Sequence, residues 1–388
     1  MAIRHYLDHN ATSPLRPQAR AAMTLALDQF GNPSSIHAEG RAARGLIEEA
    51  RAQVASLVGA SPANVVFTSG GTEAAALALT PDFIKAGQKA DHLLLCATEH
   101  PCMLSGHRFP AEHTQSVKVR PDGRIDLDHL MALLAGLSGA RPMLALQLAN
   151  NETGVLQPVN EAAELIAQAG GITICDAVQA AGRIAVNWKA LGVDALILSA
   201  HKFGGPKGAG ALIYDTKTMD IGSKLIRGGG QEKGQRAGTE NVTGLVGFGA
   251  AAQAALADLS VEPQRLLNLR QHCEQGLKEL APDLIVFGEV APRLPNTLAF
   301  AIPGLTAETL LIALDLAGIS ISSGSACSSG KVQASHVLRA MGIAADLAKG
   351  ALRISMGWST TQADVEGLCA AMQKVLIKVS ARRPIVAA

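Results

Sequence analysis

Ala195-Leu-Ile-Leu198 is a short apolar run, and Ser199-Ala-His-Lys202 follows it without a break. So few apolar residues between polar flanks suit a strand covered on both faces better than a helix. The same arrangement recurs upstream. Leu93 to Cys96 leads to Thr98-Glu-His100, Met143 to Leu148 to Asn150-Asn-Glu-Thr153, and Ile172 to Cys175 to Asp176-Ala-Val-Gln179. Gly210 to Tyr214 is another such run, and the helical stretches Leu127 to Leu137 and Asn160 to Ala169 stand between several of them. Strands interleaved with amphipathic helices predict an α/β domain around a mainly parallel central sheet. In such sheets ligands sit beyond the carboxyl ends of the strands, so the four polar clusters are expected along one rim.

Working outward, Pro17 to Phe30 and Gly40 to Val58 read as helices separated by the turn Gly31-Asn-Pro-Ser-Ser35. Val65-Val-Phe-Thr68 is strand-like and runs through Ser69-Gly-Gly-Thr-Glu73 into the Ala-rich helix Ala74 to Leu79. Beyond about Ala250 the pattern changes. A long helical stretch from Ala252 to Leu280 precedes short strands near Ile285 to Phe287 and Asn296 to Ala301, then helices near Thr306 to Ala317 and Ala363 to Ser380. This reads as a smaller α+β domain. The expected division is a large α/β domain over residues 15–255, with residues 1–14 and 256–388 forming the small one.

Bulk properties remove several function classes. The 388 residues carry 34 Lys plus Arg against 33 Asp plus Glu, a net charge of +1, which gives no reason to expect a nucleic-acid surface. Six cysteines lie at 96, 102, 175, 273, 327 and 369 with no Cys-x-x-Cys pair, so neither disulfide staples nor an intrinsic metal cradle is expected. The start lacks the apolar stretch of a signal peptide, and no run approaches the roughly eighteen apolar residues of a membrane span. A reducing cytoplasm and no membrane contact are the expectation.

Lys202, at a strand end on the ligand rim, is placed to form a Schiff base with pyridoxal phosphate, although a lone lysine is ordinarily a solvated surface residue. Asp176 ends another strand, where a carboxylate can pair with a protonated pyridine nitrogen or, equally, cap a helix. Gln179, one helical turn on, can reach the ring's phenolate oxygen. Gly70-Gly71-Thr72 brings backbone amides and a hydroxyl to a helix N-terminus, a setting for phosphate, with Ser199 and His201 as further donors. His100 can stack on a cofactor ring and move protons near neutral pH. A structural histidine or a zinc ligand with Cys96 and Cys102 is the competing reading, and Cys-x3-His-x-Cys at a strand end makes poor tetrahedral geometry. Cys327 sits in Ser322-Ser-Gly-Ser-Ala-Cys-Ser-Ser-Gly-Lys331, a small-residue loop that suits a reactive thiol. Arg353 is a lone cation in an apolar run, explained equally by a substrate carboxylate or a structural ion pair.

In order along the chain, several segments are similar to the NifS/IscS type of cysteine desulfurase, a class-V aminotransferase-like family. They begin with Tyr6-Leu-Asp-His-Asn-Ala-Thr12, Gly31-Asn-Pro-Ser-Ser-Ile-His37, Thr68-Ser-Gly-Gly-Thr-Glu73 and Thr98-Glu-His100. Asn150-Asn-Glu-Thr-Gly154, Asp176-Ala-Val-Gln179, Ser199-Ala-His-Lys202, Gln235-Arg-Ala-Gly-Thr-Glu-Asn241 and the Cys327 loop complete the series. The resemblance implies a fold-type-I, pyridoxal-phosphate-dependent homodimer that takes sulfur from L-cysteine, leaving alanine and a persulfide on Cys327. By it Lys202 is the Schiff-base lysine, Asp176 the pyridine-nitrogen partner and His100 the stacking, proton-moving residue. Gln179 contacts the phenolate oxygen, and Asn151 lies near both cofactor and substrate. Thr72, Ser199 and His201 hold the phosphate, with Thr239 reaching it from the other subunit; Gly71 and Ala200 are further cofactor-binding positions, and Arg353 takes the substrate carboxylate. Ser13, Gly205 and Ala334 depart from the family's usual residues without touching this chemistry. A sulfur-acceptor or iron–sulfur scaffold protein is the implied partner, and Cys327 could share a cluster ligand with it. Selenocysteine lysis or another pyridoxal-phosphate reaction on the same scaffold is the alternative, distinguished by its having no need of a protein thiol.

Overall fold

The computed structural model describes residues 4–137, 139–323 and 335–380. Cys327 and its neighbours lie outside the described residues, as do Ala334 and the chain end after Ser380.

Seven strands form the main sheet, in the order Val65–Thr68, Gly210–Tyr214, Ala195–Ser199, Ile172–Asp176, Pro142–Gln147, His92–Cys96 and Thr114–Val117. The last five are parallel, and Gly210–Tyr214 runs antiparallel to both neighbours. Thr114–Val117 escapes the sequence reading because Thr-Gln-Ser-Val has one apolar residue, which suits the sheet's edge. In the central strands both faces are apolar. Leu94, Leu144, Cys175, Leu196 and Leu198 pack into one core with helices Ala38–Leu57 and Val242–Asp258. Leu93, Leu95, Met143, Ile174 and Ile197 pack into another, beneath helix Gly71–Ala78. Each such side chain contributes roughly 1.5–3 kcal/mol by leaving water, which holds the strand ends in fixed register at the rim.

A second sheet, Ile285–Val286, Thr297–Ala301, Leu352–Ser355 and Ser322–Ser323, is antiparallel throughout. Its own core joins Phe300 and Ile354 to Leu266, Leu310 and Leu368 of helices Glu262–Leu280, Ala307–Leu316 and Gln362–Ser380. The helical stretch expected from Ala252 to Leu280 is in fact two helices, Val242–Asp258 and Glu262–Leu280, meeting at 77°. Pro263 lies in the first turn of the second, where its missing N–H costs nothing but would break a continuous helix.

The chain start belongs to this second core. Leu7 is buried in it, His5–Tyr6 pairs in parallel with Ile319–Ser320, and Asp8 bridges Ser355. The following residues cross to the rim of the main sheet, where Asn10 Nδ2 donates to Asn151 O at 3.1 Å and to Thr297 Oγ1 at 3.0 Å.

Candidate active site

A cavity of about 570 Å³ opens at the carboxyl rim of the parallel strands. Four strand ends feed it: His100 follows His92–Cys96, Asn151 follows Pro142–Gln147, Asp176 and Gln179 follow Ile172–Asp176, and Ser199, His201 and Lys202 follow Ala195–Ser199. Gly71 and Thr72 of helix Gly71–Ala78 close one end, and Ala11 and Thr12 of the chain start close another. Gly210 makes that first closure sterically feasible. A Cβ there would meet the Gly70 carbonyl carbon at 2.5 Å, so the turn can lie against the strand only over a glycine.

Lys202 Nζ donates to Asn10 O at 2.7 Å and to the cavity-lining Ala11 O at 3.1 Å. Asp176 is poised differently. Burial pushes its carboxyl up to about 6, against the Val178 N–H at 2.9 Å and the charge of Lys202, which favour the anion. His100 caps the short helix Pro101–Leu104: its Nδ1 accepts the Cys102 N–H at 3.2 Å and lies 3.0 Å from Cys102 Sγ. Burial, then the charges of Lys202 and His336, pull His100 down to about 4, so the ring is neutral at pH 7 and carries its proton on Nε2. His201, bonded through Nδ1 to Thr12 Oγ1 at 3.2 Å, is likewise pulled down to about 4, mainly by burial. Behind the rim, Glu99 accepts the Gln147 N–H at 2.8 Å. Burial and the Asp176 charge hold its carboxyl well above the usual range.

Not every residue named from the sequence reaches the cavity. Ala200 is fully buried beside it, its N–H donating to Ala209 O at 3.0 Å. Thr239 is exposed on the segment after Gly234 and does not line this chain's own cavity. Arg353 is buried, with Nη2 on Asp8 Oδ1 at 2.7 Å and Nη1 on Asn151 O at 3.0 Å, so a structural ion pair is present. Its Nε is buried with no acceptor among the described residues. Cys102, considered from the sequence only as a metal ligand, lines the cavity, with Sγ 3.0 Å from His100 Nδ1. Burial pushes its thiol far up, which makes it a donor and not a nucleophile. Among the described residues no cluster of His, Cys, Asp or Glu is suited to a metal ion.

A doubly covered α/β sheet with a lysine and a carboxylate at adjacent strand ends is the architecture of the fold-type-I enzymes that use pyridoxal phosphate. The pattern of the aminotransferase class-V family matches residues 5–368, and the chain belongs to that family. The cysteine desulfurase IscS of Dictyoglomus turgidum is 37% identical over 383 residues, covering 98% of this chain and 96% of the relative. A cysteine desulfurase of Cereibacter sphaeroides is 40% identical over 387 residues, 98% of each chain. The X-ray structure of a NifS-like protein from Rickettsia africae ESF-5 superposes with a TM-score of 0.87 at 34% identity, covering 96% of this chain and 99% of that one. The resemblance read from the ordered motifs is thus borne out, and membership implies dependence on pyridoxal phosphate. The residues present suit that group: an amine, a carboxyl and a neutral imidazole surround one cavity, with a glycine-rich helix N-terminus at its end.

Proposed function

We propose that this protein is a cysteine desulfurase that uses pyridoxal phosphate to release sulfur from L-cysteine, forming alanine and a persulfide on Cys327. The convergence of Lys202, Asp176 and His100 on one cavity, within a chain 37–40% identical to named cysteine desulfurases, carries this reading.

Gly71, Thr72, Ser199 and His201 would hold the phosphate, and Lys202 is the amine that would anchor the cofactor. When bound, the cofactor supplies an electron sink for charge left at the substrate Cα. Asp176 holds the proton on the pyridine nitrogen and Gln179 faces the phenolate oxygen. Lys202 Nζ would take the substrate Cα proton. Neutral His100, with Nδ1 committed to its helix cap, would lie against the cofactor, and its Nε2 side would serve proton movement at the substrate thiol. Arg353, with Asn151 beside it, receives the substrate carboxylate by exchanging part of its contact with Asp8. The Cys327 thiolate attacks the substrate sulfur, the carbon–sulfur bond breaks, and the sulfur stays on Cys327 for a sulfur-acceptor or iron–sulfur scaffold protein. In this reading the enzyme works as a cytoplasmic homodimer, with Thr239 reaching the phosphate of the other subunit.

The test is to incubate cofactor-loaded protein with L-cysteine and measure alanine and bound sulfane sulfur together, for wild type and Cys327→Ala. Wild type is expected to make both, and the variant to lose persulfide and most alanine while keeping its cofactor absorbance. Equal turnover by the variant would rule Cys327 out as acceptor and leave a lyase or transaminase.

A further inference from the structure

Arg183 is 4% exposed and has no part in the proposed chemistry. Its guanidinium meets neutral acceptors: Nη1 donates to Gln179 O at 2.7 Å and to Gln179 Oε1, and Nη2 donates to His9 O at 3.0 Å and Lys202 O at 3.1 Å. Among the described residues no carboxylate is paired with it, and burial followed by the charge of Arg353 pulls it down to about 9. A buried cation held by neutral groups is costly, so its place calls for a reason.

Gln179 supplies one. Arginine has donors and no acceptor, so the amide atom turned toward Nη1 is Oε1. Nε2 then faces the other way, donating one hydrogen to Asn10 O at 3.0 Å and keeping a second for the cavity that Gln179 lines. With the amide reversed, Nε2 would face a cation and Oε1 would be presented to any anionic ligand atom. The same guanidinium also holds the backbone of His9 and of Lys202, so three cavity-lining segments meet at one side chain.

We propose that Arg183 is a positioning residue that locks the Gln179 amide with its N–H toward the cavity, so that Gln179 donates to an anionic oxygen of the cofactor. This rests on the cofactor reading above and adds how the donor is oriented. A flipped or freely rotating amide would weaken cofactor binding and move its absorbance, whereas a purely structural Arg183 would lower stability without acting through Gln179.

The experiment compares Arg183→Met, Arg183→Lys, Gln179→Ala and the Arg183→Met/Gln179→Ala double variant. It reads the Kd for pyridoxal phosphate, the absorbance maximum of the bound cofactor and the thermal midpoint of cofactor-free protein. Gln179→Ala is expected to weaken binding about 10- to 100-fold, the loss of one hydrogen bond to a charged oxygen, and to shift the band. Arg183→Met should shift the band in the same direction, and the double variant should bind no more weakly than Gln179→Ala. Arg183→Lys, which keeps a donor and the charge, should retain the wild-type band. Losses that multiply in the double variant, or an unshifted band in Arg183→Met, overturn the proposal. If Arg183→Met does not fold, Arg183→Lys stands in for it, and a band or Kd there that departs from wild type overturns the proposal. Wild type that fails to bind pyridoxal phosphate would instead sink the parent reading.

Discussion

Asp176→Asn should make the cofactor-free protein more stable at neutral pH. Burial raises the Asp176 carboxyl from 3.8 to about 6 in the folded chain. Between those values the native state binds more protons than the unfolded state, so wild-type stability falls as pH rises. At ~1.4 kcal/mol per pH unit, a two-unit shift amounts to about 3 kcal/mol, reduced to ~2 because the cavity admits water. Asparagine keeps the acceptor for the Val178 N–H, seen at 2.9 Å with aspartate, and has no charge to desolvate. Urea unfolding of cofactor-free wild type and variant at several pH values measures the difference. It should be near zero below pH 4, grow from pH 4 to 6 and stay level above. The loaded variant should lose most activity, because an amide cannot hold the pyridine proton. A stability difference independent of pH, or a variant less stable at pH 8, would refute the desolvation argument.

Glu232 accepts Arg51 Nη1 and Nη2 at 2.7 Å each and the Phe67 N–H at 2.8 Å, from a backbone at φ 47°. Glu232→Ala leaves the buried Arg51 guanidinium with only half-exposed Glu48 as a charged partner among the described residues and should cost about 3–5 kcal/mol in urea unfolding, whereas Glu48→Ala should cost under ~1 kcal/mol. Arg353→Met should raise KM for L-cysteine about 10- to 100-fold with little change in cofactor affinity. An unchanged KM would assign Arg353 to its Asp8 ion pair alone.

Local sequence determined the strands, their polar ends and the order of the motifs. A run such as Ile172 to Cys175 can be buried on both faces in only a few ways, and a parallel sheet sends every carboxyl end to the same rim. That is why His100, Asn151, Asp176, Gln179 and Lys202 were legible as neighbours before any contact was known. Edge strand Thr114–Val117 was not legible, because exposure relaxes the apolar pattern. Nor was the break at Pro263, where a strong helical composition continues on both sides. Tertiary structure alone decided how these groups are held and charged. Asp8 meets Arg353 across 345 positions, Asn10 meets Lys202 across 192, and Arg183 joins His9, Gln179 and Lys202. The shifted acidities of Asp176 and His100 come mainly from burial by distant chain, and no spacing of residue types encodes how much water that chain excludes.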